Sequence, residues 1–359
     1  MPSRRAVIRW TRSLYNRELT PLEHARCWFL HSGIQSPQGG VARYYRTDDC
    51  RNAPISNEIT GYAASALVYL GEPAAATRAA KFLRDHAWDS WSNTFAFEPN
   101  SPLAYFFDLG IIARGLLAVW RATGDDTFRD RAREAALSLA FDFLGEGVFH
   151  PVISLPEKLP LPYDSRWSRS PGCYQLKSAL AWREIEDDHA SRLFELALTQ
   201  ALAGHEAFLS GESDQPKLMD RLHAYCYFLE ALPGVADREP VRRALAAGID
   251  RTAALLREIS PRFERSDVCA QLLRIRLIAH HLCGMDLDEN AAREEAQRVV
   301  SYQSSSCDPR LRGGFWFGTK DGAMLPFMNP VSTAFGAQAL ALWEEHCSGS
   351  WSFALRQLI

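Results

Sequence analysis

Apolar residues along the chain recur at spacings of three and four, the period of helices lying on a core rather than of strands. The pattern is plainest in AASALVYL, GIIARGLLAVW, AREAALSLAFDFL, LFELALTQALAGHEAFL, CAQLLRIRLIAHHL and TAFGAQALALW. Breakers separate these segments at Gly71-Glu72-Pro73, Gly124-Asp125-Asp126, Ser210-Gly211-Glu212-Ser213, Leu232-Pro233-Gly234 and Cys283-Gly284. They read as helix stops, with acids or prolines placed to begin the next helix.

Two classes of helix alternate. Residues 74–86, 127–144, 191–209, 240–258 and 289–300 are charged and amphipathic. Residues 57–70, 103–121, 173–182, 218–232, 267–283 and 331–344 are more apolar and rich in small side chains. A helix that is apolar on most sides must be buried on most sides. The second class is therefore expected to form an inner ring and the first class an outer one. About six hairpins follow, repeating every ~50–60 residues as stacked helix pairs do. The predicted fold is all-α, an (α/α)6 toroid, in one domain over 1–359 with an N-terminal extension at 1–20 and a C-terminal tail at 348–359. The 359 residues exceed an ordinary single core, but a repeat-built ring grows by adding neighbours.

The loops are asymmetric. Connections after an inner helix are short. The segments 31–56, 89–102, 147–172 and 301–330, which lead into inner helices, are long and aromatic. Long loops gathered at one end of a scaffold carry function. Here they converge on helix N-termini, whose free N–H groups suit anionic or hydroxyl-rich ligands.

Helix-pair repeats with aromatic and acidic residues at such a rim resemble the six-hairpin glycosidase superfamily, and the resemblance runs from about Leu22 to Cys347. It implies a sugar-handling cleft, used in that superfamily by glycosidases, unsaturated-uronide hydrolases, polysaccharide lyases and sugar epimerases. The likeness is architectural, and no family motif transfers residue by residue. Terpene-cyclase and prenyltransferase toroids share the layout, but no DDxxD string occurs here.

The tops of the inner helices supply the chemistry. Glycoside cleavage needs two carboxyls, one protonated and one ionised. Glu58, Asp108 and Asp267 sit where they could face one another across a funnel, with Glu58 and Asp267 as the acid/base pair and Asp108 as orienter or alternative partner. Ser56 and Ser266-Asp267 also read as helix starts. His223 and Tyr227 share a helix face and, with Arg221, suit the lyase or epimerase alternative, in which a base removes a proton beside a uronate carboxylate and arginine neutralises the developing charge. Expected substrate contacts are Tyr44, Arg46, Asn57, Tyr62, Trp91, Tyr174, Arg221, Tyr227, Arg265, Trp316 and Asn329. Aromatic rings among them can stack on sugar faces, and arginines can grip carboxylates or phosphates. His280-His281 lies late in its helix and reads as structural. A non-catalytic toroid that binds a glycan or protein is the reading from a different class.

Composition narrows this little further. Hydrophobic residues make up 47% and charged residues 23%, so a packed core is expected. A net charge of −3 leaves no basic excess for nucleic acid. The eight cysteines form no CxxC pair, and no metal or other cofactor is expected. Arg9, Arg12 and Arg17 interrupt every apolar stretch near the N-terminus. No signal peptide or membrane span is therefore read, and a cytoplasmic protein acting on a small-molecule or oligosaccharide substrate is expected.

Overall fold

The computed structural model describes residues 19–99, 101–260 and 262–359. Most of the anticipated N-terminal extension, residues 1–18, lies outside them. Twelve α-helices occur among the described residues. Six form an outer ring: α1 (Pro21–His31), α3 (Pro73–Phe82), α5 (Asp126–Phe141), α7 (Asp188–Phe208), α9 (Glu239–Ile259) and α11 (Glu289–Ser301). Six form an inner ring: α2 (Asn57–Tyr69), α4 (Phe106–Thr123), α6 (Gln175–Glu184), α8 (Gln215–Ala231), α10 (Ser266–Cys283) and α12 (Pro330–Ser348). Each inner helix packs on the next, and α12 returns to α2, so the ring closes.

The sequence explains the two layers. The first fourteen residues of α10 are all buried, whereas α11 buries only Ala292, Glu295, Ala296 and Val299. Small residues set the spacing of the inner ring. A Cβ added to Gly115 on α4 would lie 2.4 Å from the Gly61 carbonyl oxygen on α2, closer than atoms can pack. The expected stops are realised at Gly124 and Gly284, which end α4 and α10 with φ of 73° and 60°. Helix α1 escaped the periodicity reading, although its capping box is legible. Thr20 Oγ accepts from Glu23 N at 3.2 Å, and Thr20 N donates to Glu23 Oε2 at 2.7 Å.

Helical period also gave no warning of the short strands that stitch the loops together. Strand β1 (Tyr45–Arg46) pairs with β2 (Arg51–Asn52) and with β12 (Phe327–Met328). Strand β5 (Leu103–Tyr105) pairs with β8 (Val152–Ser154). Strand β9 (Phe263–Arg265) pairs with β10 (Gly318–Lys320), which continues to β11 (Ala323–Met324). Two further hairpins, β3–β4 and β6–β7, join Trp88–Asp89 to Thr94–Phe95 and Leu144–Gly145 to Val148–Phe149. These ladders hold the long loops as a collar around the N-terminal ends of the inner helices.

The tail closes the opposite end. Arg114 Nη2 donates to Leu358 O at 2.9 Å, Lys177 Nζ to Ile359 O at 3.0 Å and Gln338 Nε2 to Gln357 O at 2.8 Å. All eight cysteines are free thiols. No helix among the described residues is long and apolar enough to cross a membrane.

Candidate active site

Inside the collar lies a cavity of about 330 Å³. Its polar wall is Glu58 from α2, Asp108 from α4, His223 and Tyr227 from α8, Arg265 from β9 and Asp267 from α10. Phe97, Tyr105, Phe107 and Trp167 form an aromatic wall, and Arg43 and Asn329 complete the rim. A larger hollow of about 570 Å³ lies on the outside between α9 and the loop after α10, but its carboxylates, Asp250, Asp286 and Asp288, are exposed. The collar cavity combines confinement with buried carboxyls and a buried histidine, the combination that marks a reactive site.

The three carboxyls of the cavity are treated differently by their surroundings. Asp267 is 1% exposed, and burial alone would raise its pKa. Arg265 more than compensates: Nε meets Asp267 Oδ1 at 3.0 Å and Nη2 meets Oδ2 at 2.7 Å, so the carboxyl is held below its ordinary value. The third arm of the same guanidinium reaches Asp220 Oδ1 at 2.7 Å. Its face lies 4.8 Å from the Phe317 ring centre, which fixes the plane of the fork.

Glu58 and Asp108 have no such fork. Burial pushes Glu58 up from 4.5 to about 7, against the pull of Arg43. Burial and the neighbouring Glu58 raise Asp108 well above the usual aspartate range. Asp108 Oδ2 makes no hydrogen bond among the described residues. Burial thus favours the protonated form of both carboxyls, and the Glu58 charge adds to that at Asp108. Asp267, in the same cavity, is ionised.

His223 bridges the two halves. Its Nδ1 donates to Gln271 Oε1 at 2.8 Å and lies 3.8 Å from Asp267 Oδ1. Its Nε2 accepts from the Tyr227 hydroxyl at 2.8 Å. Burial and the adjacent Arg265 lower its pKa from 6.5 to about 4, so the imidazole is neutral across the physiological range. Tyr227 packs against Phe107 and stacks parallel to Tyr62, which lies beneath the cavity floor.

The structure thus brings Glu58, Asp108, His223 and Asp267 together with Tyr227, Arg265 and Asn329. The Asn329 amide oxygen caps α12, accepting from Val331 N at 2.8 Å and Ser332 N at 3.1 Å. Other expected contacts lie elsewhere. Trp91 is 85% exposed at the tip of the β3–β4 hairpin. Arg46 is paired with Asp48, and Arg221 donates to Phe208 O at 3.2 Å. Asn57 is buried and donates to Ala96 O at 2.9 Å. Tyr174 supports Trp167 edge-on from below, at 5.0 Å between ring centres. Tyr44 packs on Phe327, and Trp316 bridges in backbone to Met328. Being on the right loop did not determine which way each side chain points.

The helix starts are partly as read. Ser56 caps α2, accepting from Ile59 N at 3.4 Å. The cap expected at Ser266-Asp267 is not built: Arg265 occupies the cap position without a side-chain bond, and Ser266 Oγ donates to Trp316 O at 2.6 Å. Tyr105, Phe107 and Ser168 line the cavity although the sequence reading singled out none of them. Tyr105 and Phe107 bracket the start of α4 beside Asp108, a local cue that their apolar character hid.

No protein-family model matches this chain, and no curated protein matches it in sequence. Solved structures do. The cellobiose 2-epimerase from Spirochaeta thermophila aligns over 96% of this chain and 100% of its own at 14% identity, with a TM-score of 0.67. A D-mannose isomerase aligns over 89% and 97% at 10% identity and a TM-score of 0.64. A glycoside hydrolase family 76 mannosidase from Bacteroides thetaiotaomicron aligns over 91% and 99% at 11% identity and a TM-score of 0.56. The likeness is one of fold: the chain has the (α/α)6 toroid architecture expected from its helix pattern.

Proposed function

We propose that this protein is a carbohydrate-active enzyme that hydrolyses a glycosidic bond in the collar cavity, with Glu58 as general acid and Asp267 as its ionised partner. One observation carries the reading. Three carboxyls share a cavity, and their surroundings drive Glu58 and Asp108 toward the protonated state and Asp267 toward the charged one. Groups whose environments push their proton affinities apart are suited to acid and base roles. Glu58 gives its proton to the leaving oxygen as the bond from the anomeric carbon breaks. Asp267 faces the positive charge that develops at the ring and takes the proton of the water that replaces the leaving group. Asp108 is the orienter beside Glu58 or its alternative partner. The aromatic wall offers flat faces for sugar rings. Arg43, at the rim, suits an acidic sugar or an oligosaccharide carrying one.

A second reading rests on His223 and Tyr227. A neutral imidazole whose Nε2 faces a phenol can take a proton from a carbon beside a carbonyl and return it to the other face, which is epimerisation. The cellobiose 2-epimerase and D-mannose isomerase with this fold favour that alternative. The two readings separate in one experiment. A panel of neutral oligosaccharides and uronides is incubated with the protein in heavy water. New reducing ends lost in Glu58→Gln support hydrolysis. Carbon-bound deuterium lost in His223→Ala supports epimerisation. A panel left chemically unchanged by the native protein overturns both.

A further inference from the structure

The end of the ring away from the cavity carries a second constellation. His280 and His281 close α10, and His346 lies in the last turn of α12. From Asp267 to His280 is about 20 Å along the helix at ~1.5 Å per residue, so this cluster is remote from the collar. One ring nitrogen from each of the three histidines lies within 4.8 Å of the others.

We propose that His280, His281 and His346 form a binding site for a divalent transition-metal ion, with zinc the best fit, that clasps α10 to α12. His281 Nε2 and His346 Nδ1 are 3.0 Å apart. Tetrahedral Zn–N bonds of about 2.0–2.1 Å require nitrogens ~3.3 Å apart, so this pair already has the needed separation. A bound ion would draw the His280 ring inward from within 4.8 Å.

The outer contacts are those that metal-bound imidazoles use. His280 Nδ1 donates to Met285 O at 2.8 Å, which leaves Nε2 as its ligating nitrogen. His346 Nε2 donates to Glu289 Oε1 at 3.0 Å, which leaves the Nδ1 lone pair free. In the metal-free cluster His281 Nε2–H therefore donates to His346 Nδ1. Metal binding moves that proton to Nδ1 of the same ring, and all three imidazoles ligate in the neutral form with no net proton released. All three side chains are half-buried, leaving a fourth position for solvent. The negative dipole ends of α10 and α12 point at the same place and favour a cation. Soft thiolate is absent from the set, and imidazole suits zinc, copper and nickel.

The site would also secure the tail. Trp351 stacks on His281, with ring centres 4.0 Å apart and planes 12° from parallel. That segment runs on to the hydrogen bonds with Arg114 and Lys177 that close the ring.

The test uses the full chain and the metal alone. Calorimetric titration with Zn2+ should show one site, Co2+ should give the visible absorption of low-coordinate cobalt, and Zn2+ should raise the melting temperature above that in chelator. His281→Ala and His346→Ala should lose the site. Glu289→Gln should keep the fold and weaken binding about 10–100-fold, which keeps the test decisive if a histidine variant fails to fold. Absence of Zn2+ binding at micromolar metal overturns the proposal. So does binding of unchanged affinity in both His346→Ala and Glu289→Gln, which would place the metal on the cysteines.

Discussion

The inner ring carries two sets of buried charges, and they are built to opposite ends. Near its centre, Lys177, Glu230 and Arg274 are each no more than 2% exposed, and the Glu230 carboxyl has a basic side chain at each oxygen, although burial lowers Lys177 from 10.5 to about 7. Lys177 Nζ lies 3.0 Å from Glu230 Oε2, Arg274 pairs with the other oxygen, and Arg274 Nη1 donates to Gln338 Oε1 at 2.9 Å. Burial would raise Glu230, but its two cationic neighbours hold it below its ordinary value. At the collar, Glu58 and Asp108 are confined together with no ion pair among the described residues, and both are raised against the weaker pull of Arg43. One ring supplies both sets, the first from α6, α8 and α10 and the second from α2 and α4. What separates them is compensation: a buried carboxyl with matched partners holds a structure together, and one without them holds a proton for use.

The largest effect that could break this contrast is on turnover. Glu58→Gln removes the proton donor and keeps the shape, so hydrolysis should fall about 10²–10⁴-fold while the melting temperature does not fall below that of the native protein. Steady-state assay with thermal melting checks both halves. A variant that loses stability and keeps its rate would make Glu58 another structural charge.

Glu230→Ala tests the other side. Removing one partner leaves Lys177 and Arg274 buried without their counter-charge, which costs about 3–5 kcal/mol, read as a lower denaturation midpoint. Catalysis per folded molecule should change little, since Glu230 does not line the cavity. A rate loss without a stability loss would erase the distinction between the two sets.

The pH dependence of stability sharpens the comparison with smaller effects. The native state keeps the Glu58 proton between the ordinary 4.5 and about 7, where the unfolded chain releases it. The native state binds more protons in that window, so this group makes stability fall as pH rises through it. Glu230 works the other way: its contribution is present above the ordinary glutamate range and is lost as pH falls through the depressed native value. Glu58→Gln should therefore flatten the decline in melting temperature from pH 4.5 to 7, and native-like decline in that variant would count against a buried proton at Glu58.

How far the sequence could see follows the same line. The ring was legible because burial is written as period and composition: α10 is rich in apolar residues and buried on most sides, and α11 is neither. The four principal site candidates, Glu58, Asp108, His223 and Asp267, were legible as polar residues near the tops of apolar helices, and they share the cavity. The loops were less legible, because position on a loop does not fix side-chain direction. Trp91 projects outward, while Trp167, a few loops away, faces the cavity. The Arg265–Asp267 fork was hidden because neighbouring residues two apart pair only once β9 turns into α10. The central network was invisible for a different reason: Lys177, Glu230 and Arg274 are far apart in sequence, and each looks like an ordinary surface charge.

Arg43 gives the finest test. Its positive charge opposes the rise in both Glu58 and Asp108, although its guanidinium is shared with Glu98 at 2.9 Å and lies over Phe97 at 4.9 Å. If Glu58 acts as a general acid, activity requires its protonated form and falls as pH rises through about 7. Replacing Arg43 by Met keeps bulk over Phe97 and removes the positive charge that favours ionised Glu58. The alkaline limb of the kcat/KM profile should then move to higher pH. The acidic limb, set by Asp267 under the control of Arg265, should stay where it was. Movement of the alkaline limb to lower pH would mean that the limb reports a different group, and with it the contrast between unmatched collar and matched centre would lose its kinetic meaning.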